Sequence, residues 1–462
     1  MIAFVFAILM ALGLGTMILT GHAPAAFASA SFGLGFGILA AFVALFAGGI
    51  YVGAALACLG LMVGFIASDR PFWNFIGDMV WAPSSNFVFV AVPLFLLMGE
   101  VMLRAGLSER LYRALNVWVG RLPGGLLHTN IVACGVFSAV AGSSVATAAT
   151  MGSVALPFFE KSDYPPKLVL GSLAAGGALG NLIPPGITFI IYGLLTETSV
   201  GDLYLAAVGP SVLVVLLFIG VILWYSWRLG IGGASDASPR PSGAQRLASL
   251  LDLVPMTLLI GLVLGTIYSG LATPTESAAL GVAGALALAL VDRKLSWRML
   301  SDSLRATARV TSMIGLILLG AYLLNYILSS LGIPQALSQF LTALPLPPWG
   351  VMLVIIGFYL ALGTFMEGIS MVVTTIPLVF PVVKALGYDP IWFGVIVTML
   401  VEIAMISPPD GTVLYVLQGM RKRAGPITDV FAGVMPFMTI YILAVGLLMV
   451  FPQIALWLPQ AR

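Results

Sequence analysis

The chain has 462 residues, of which 60% are hydrophobic and only 8% charged, with a net charge of +2 and a mean hydropathy of +1.10. No soluble globular chain of this size hides so much apolar surface, so the solvent is lipid. Two histidines leave too few ligands for most metal sites, Cys58 and Cys134 lie in separate apolar segments and suggest no disulfide framework, and the absence of a GxxxxGKS or GxxxxGKT loop excludes ATP hydrolysis by that route.

About a dozen apolar segments reach the ~20 residues that span a bilayer. Residues 1–20 are apolar and lack the basic start of a signal peptide. AFASA near residue 29 resembles a cleavage site, but the reading adopted is a retained extra helix over 1–31. Residues 32–123 read as scaffold: apolar segments at 32–48 and 50–68, then an amphipathic stretch from Arg70 to Ser85 whose Trp73 and Trp81 suit the membrane interface. A helix follows through 86–103, then a basic loop with Arg104, Arg110, Arg113 and Arg121.

Residues 124–228 read as a transport block. Its segment 125–158 is apolar but interrupted by Gly135, Gly142, Ser143, Ser144 and Gly152, which predicts a re-entrant helical hairpin. Such backbone is tolerated at membrane depth only when buried in protein or lining a cavity. A helix over 168–198 is broken at Pro184-Pro185, and a span covers 203–227. A polar cytoplasmic linker occupies 229–250. The second half repeats the plan, with scaffold at 251–348 and a transport block at 349–452. That block holds a hairpin at 350–381, a helix over 391–419 broken at Pro408-Pro409, and a last span at 428–451.

The repeat is a duplication with an offset of 224 and no gap. Pro157, Tyr164, Pro166, Pro184 and Pro185 meet Pro381, Tyr388, Pro390, Pro408 and Pro409; Ala54-Ala55-Leu56 meets Ala278-Ala279-Leu280, and Gly60 meets Gly284. Lys and Arg concentrate at 104–121, 228–246, 293–309 and 421–423, which the positive-inside rule makes cytoplasmic, while loops near 199, 272 and 340 hold none. With both hairpins counted as non-crossing, every assignment is met and the two halves run in opposite directions through the membrane. The expected fold is an all-α polytopic membrane protein, an inverted repeat with two re-entrant hairpins and two broken helices, the pattern of secondary transporters.

Adjacent prolines remove backbone donors and orphan the carbonyls one turn earlier. In lipid such groups demand a partner, and sodium bound by carbonyls and hydroxyls would supply one. The candidate ion ligands at the first break are Gly142, Ser143, Ser144, Thr147, Asn181, Ile183, Pro184 and Gly186. Those at the second are Gly363, Thr364, Glu367, Thr374, Thr375, Ser407, Pro408 and Asp410. Hard oxygen ligands suit an alkali cation, and two or more sodium ions are expected. Ser144, Thr188, Glu367 and Thr412 are the candidate substrate contacts. Taken alone, a Pro-Pro is a kink and GSSVATA is small-residue helix packing; their recurrence at one offset points to a site. Glu276, Glu367, Glu402 and Asp410 are acids within or at the edge of apolar segments, a further mark of function.

At these residues the sequence resembles the large membrane subunit of the tripartite ATP-independent periplasmic (TRAP) transporters. The stretches GSSVATAATMGSVALP, LGSLAAGGALGNLIPPGITFIIYGLLTETSVGDLYLAAVGP, YSGLATPTESAALG and IPLVFPVVKALGYDPIWFGV carry the likeness, which covers about residues 33–451. The resemblance implies a sodium-driven importer of organic acids such as a C4-dicarboxylate, a sugar acid or sialic acid. It further implies a periplasmic binding protein, a small four-helix membrane subunit, a bacterial inner-membrane location and an elevator motion of the two transport blocks. Asp410 departs from it, standing where an apolar residue is expected. The rival readings are a passive channel, a proton-coupled organic-anion carrier without a binding protein, and an intramembrane serine hydrolase using Ser143 or Ser144 with His128.

Overall fold

Every regular element among the described residues is a helix. The computed structural model describes residues 41, 45, 50–67, 72–160, 162, 164–231, 242–421 and 425–461. The expected helix at 1–31, most of the segment 32–48, much of the polar linker and Lys422-Arg423 lie outside them.

The first half runs α1 (Val52–Ala67), α2 (Ile76–Ser84), α3 (Ala91–Arg104), α4 (Leu107–Val119), α5 (Gly125–Ala141), α6 (Ser144–Phe159), α7 (Pro166–Gly177), α8 (Ile187–Thr196) and α9 (Val200–Leu229). The second runs α10 (Gly243–Tyr268), α11 (Pro274–Val291), α12 (Trp297–Ser330), α13 (Ile333–Thr342), α14 (Pro348–Leu362), α15 (Gly368–Ala385), α16 (Pro390–Met405), α17 (Thr412–Met420), α18 (Thr428–Val450) and α19 (Gln453–Gln460). Shifted by 224, α1 falls on α11, α3 on the second half of α12, and α4 to α9 in turn on α13 to α18. The starts of α6 and α15, and of α7 and α16, are 224 residues apart.

Helix length follows from what each segment must cross. Among the described residues seven helices are long and apolar enough to span a membrane, and one of them is α15, an arm of the second hairpin that the sequence reading counts as non-crossing. The hairpin arms α5 and α6, at 17 and 16 residues, reach only about 25 Å at 1.5 Å per residue, short of the ~30 Å of hydrocarbon. By contrast α12, with 34 residues, is about 51 Å long and overruns the bilayer.

The halves are interleaved. α1 packs on α12 and, equivalently, α11 on α3; α6 packs on α17 as α15 does on α8; α7 packs on α18 as α16 does on α9. Each pair joins one half to the other, so neither half buries its apolar faces alone. Glycines let these helices meet at backbone distance: a Cβ on Gly53 would stand 2.9 Å from the Ile317 nitrogen, and one on Gly171 would collide with the Gly433 carbonyl.

Three sequence expectations need correction. The basic stretch 104–121 is mostly the amphipathic helix α4, which buries Leu107, Leu111, Tyr112 and Leu115; charge marks a wet face, and apolar residues at helical spacing mark the other. In the same way Arg298, Arg305 and Arg309 ride on the first turns of α12 and not on a loop. The linker ends early, because Ser242 and Gln245 form a capping box that starts α10 at Gly243. The short α13, in the loop read as lacking Lys and Arg, and the terminal α19 were not foreseen.

Candidate functional site

The hairpin over 125–158 is a pair of helices whose tip is Gly142-Ser143. Gly142 has φ +60°, where a side chain is strained, and a Cβ there would come within 2.7 Å of the Pro185 carbonyl. The tip rests on the first break: the Ile187 N–H donates to the Gly142 carbonyl at 3.2 Å. The break, Ala178 to Gly186, is buried except at the half-buried Ile183. Gly186 allows its fold-back, since a Cβ would collide with the Asn181 carbonyl.

A carboxylate from the other half enters here. Glu402, fully buried on α16, accepts from the Ser144 hydroxyl at 2.7–2.8 Å and from the Asn181 N–H at 2.7 Å. The Asn181 side-chain amide donates in turn to Ser144 Oγ at 2.8 Å. Hairpin tip, first break and α16 are thereby joined by one polar network, linking residues 258 positions apart. The sequence marks Glu402 as an intramembrane acid but not as one of the candidate ligands. Its position in an apolar helix was the available signal; its partner was not readable, because no local spacing connects α16 to the first break.

The remaining first-break candidates sort by what their polar atoms already do. Ser143 is the half-buried N-cap residue of α6, and its side chain makes no capping bond. Thr147 and Thr188, both with no exposed surface, carry hydroxyls without a hydrogen-bond partner. The orphan-carbonyl expectation holds only in part: Tyr441 donates to the Ala178 carbonyl at 3.4 Å and Ser211 to that of Leu182 at 3.3 Å. Protein hydroxyls thus meet two of the carbonyls at this break. The Pro-Pro peptide is cis in both breaks.

At the second break the polar atoms are used locally. The Glu367 carboxylate caps α15, accepting from the Ser370 N–H at 3.0 Å and its hydroxyl at 3.1 Å. The hydroxyls of Thr364 and Thr374 bond back to the Ala361 and Ser370 carbonyls at 2.7 Å, and Thr375 donates to the Met371 carbonyl and accepts from the Tyr359 hydroxyl. Thr412 Oγ1 reaches the Met405 sulfur at 3.0 Å. Gly363 lies against Ala404, so this tip also meets its neighbouring break helix. Ser407 is buried, with its carbonyl taken by the Gly411 N–H at 2.9 Å, while Pro408 is half-buried and Asp410 exposed.

The hydrolase arrangement fails on geometry. His128 lies in the first turn of α5 and Ser144 just past its far end, about 20 Å apart by helix rise. His128 Nε2 is 2.9 Å from the Pro123 carbonyl, and Ser144 is engaged with Glu402. The histidine base that this arrangement needs therefore stands at neither serine.

Comparison with known proteins gives a consistent picture. Residues 39–454 match the family model described as tripartite ATP-independent periplasmic transporter, DctM component. The C4-dicarboxylate TRAP transporter large permease protein DctM of Pseudomonas aeruginosa is 34% identical over 378 residues, covering 82% of this chain and 87% of that protein. The sialic acid TRAP transporter large permease protein SiaM of Vibrio cholerae is 30% identical over 426 residues, covering 89% and 98%. The solved YdaH transporter of Alcanivorax borkumensis superposes with a TM-score of 0.59 at 17% identity, over 89% of this chain and 97% of that one, a likeness of fold.

Proposed function

Because the chain belongs to the DctM component family of tripartite ATP-independent periplasmic transporters, we propose that it imports a carboxylate-bearing organic acid, driven by the sodium gradient. It is a multi-pass membrane protein, and on this reading it lies in the bacterial inner membrane. A periplasmic binding protein delivers the substrate, and a small four-helix membrane subunit completes the complex. The two relatives named above are described by a C4-dicarboxylate and by sialic acid; the carboxylate is what those substrates share.

The observation that carries the reading is a hairpin tip closed on a proline-broken helix deep inside the chain, with buried hydroxyls beside it. At the first break Thr147 and the backbone around Gly142, Ile183 and Pro184 would hold sodium by hard oxygen atoms. Ser143, Ser144, Asn181 and Gly186 shape that pocket. At the second, Ser407 and the backbone around Gly363 and Pro408 would hold another, with Thr364, Glu367, Thr374, Thr375 and Asp410 around it. Ser144, Thr188, Glu367 and Thr412 would face the substrate between the two. The halves run in opposite directions and the blocks 124–228 and 349–452 slide together against the scaffold. A disulfide joining block to scaffold would then stop uptake reversibly.

Uptake into proteoliposomes, with and without the binding protein, across a panel of carboxylates tests this reading. It predicts accumulation that needs an inward sodium gradient and the binding protein. Accumulation that follows a pH gradient, ignores sodium and needs no binding protein would establish the proton-coupled carrier instead. Equilibration without accumulation under either gradient would establish a channel.

A further inference from the structure

The duplication makes the Glu402 network testable against its own copy. Shifted by 224, Ser144 falls on Gly368, Asn181 on Met405, and Glu402 on Ala178. All three polar members have apolar counterparts. The second tip keeps the same contact without the polarity, for a Cβ on Gly368 would stand 3.2 Å from the Met405 methyl. The carboxylate is therefore no by-product of the repeated fold. It was placed, or kept, at one break only.

The groups hydrogen-bonded to Glu402 are donors: the Ser144 hydroxyl and the Asn181 N–H. An ionised carboxylate, which only accepts, satisfies every one of them; a glutamine would turn two N–H donors toward donors. No salt bridge joins Glu402 to a Lys, Arg or His among the described residues, so ionising it here calls for a counter-ion from outside the chain. A buried charge of this kind costs several kcal/mol unless an opposite charge comes to it.

The network also orients its neighbours. Ser144 spends its proton on Glu402 and takes one from the Asn181 amide, which leaves a single lone pair and one fixed hydroxyl rotamer. One turn further along α6 lies the unpartnered Thr147 hydroxyl, and in the first turn of α8 that of Thr188. We propose that Glu402 is the positioning residue of the first cation site, a fixed anion lent by the second half that closes the first hairpin tip onto the first break. It supplies the negative charge and the geometry, while oxygen atoms around it do the ligating. The proposal rests on the sodium reading above and says which break depends on a charge from its partner half.

The test uses the purified full chain, with Cys58 and Cys134 replaced by serine and alanine and a reporter cysteine at the half-exposed tip residue Val145. Thermal stability is titrated with sodium chloride against choline chloride at constant ionic strength, and maleimide labelling of residue 145 is followed in both salts. Glu402→Gln should raise the half-saturating sodium concentration tenfold or more and speed labelling of the tip in choline. Ser144→Ala should do the same more weakly, and the double variant should add little to Glu402→Gln, because both act through one contact. Glu402→Asp, which keeps an acceptor-only anion, should lie nearer the parent than Glu402→Gln. Glu276→Gln removes another acid, one that caps its own helix at Thr273, and should leave the sodium midpoint and the tip labelling unchanged.

A purely structural carboxylate would lower the melting temperature without moving the sodium midpoint, and that result overturns the proposal. So does full additivity of the Ser144 and Glu402 changes. If Glu402→Gln does not accumulate as folded protein, Ser144→Ala and Glu402→Asp carry the decision. If the parent shows no sodium response at all, the sodium reading fails, and the tip-labelling rates in choline still decide the positioning role.

Discussion

The two proline breaks share a backbone plan and differ in nearly everything else. The first is buried, closed by a hairpin tip and tied by Glu402 to the other half of the chain. The second is partly open, and its Glu367 carboxylate and Thr374 hydroxyl serve their own helix. Gly186, which must lack a side chain to fold against Asn181, has the exposed Asp410 as its counterpart. Duplication thus supplied two copies of one backbone plan, and side chains then made one copy buried and cross-linked by a polar network and the other partly exposed. The connectors differ in the same way. Arg110 on α4 bonds Asp292 at 2.7 Å and Asp252 at 3.2 Å, pinning this helix to α10 and α11, whereas its counterpart on α13 is Pro334.

The largest effect expected from this contrast lies at the glycines. Gly186→Ala drives a methyl into the Asn181 carbonyl and should cut uptake by roughly tenfold or more, through loss of the break's fold. At the matching position, Asp410→Gly should leave uptake within about twofold, because an exposed, screened charge contributes little. Equal damage at both positions would mean that the breaks are alike after all.

Hydroxyls sharpen the comparison next. Thr147→Val removes an unpartnered buried hydroxyl, so it should leave stability unchanged or raise it while weakening sodium dependence about fivefold. Thr374→Val removes a hydroxyl bonded to its own helix, and sodium dependence should hold within about twofold. Sodium titration of uptake alongside thermal unfolding separates the two. A smaller change is expected from Arg110→Ala, which should cost about 1 kcal/mol, since the ion pairs are partly exposed. The loss should shrink as salt rises, and unfolding measured at low and high ionic strength checks it.

Much of this was legible in the sequence. A gapless offset of 224 exposed the duplication, and prolines and glycines inside apolar runs located both hairpins and both breaks. Helices α5 to α9 and α14 to α18 fall where those signals put them. What escaped was of two kinds. α4 reads as a loop by its arginines, and only the spacing of Leu107, Leu111 and Leu115 marks it as a helix. The bond between Ser144 and Glu402 was invisible for a different reason: it spans the two halves, and only the interleaving of α16 with the first break brings them together. Local pattern reports what a segment is; which segment lies against it depends on packing across the repeat.

Entry of the two copies into the membrane from opposite faces is open to sided labelling. With native cysteines replaced, Ser162→Cys beside the first hairpin and Lys384→Cys at the end of the second are exposed to an impermeant maleimide in intact cells and in inverted vesicles. The account predicts that residue 162 reacts only from the cytoplasmic side and residue 384 only from outside. Labelling of both from the same side would contradict it.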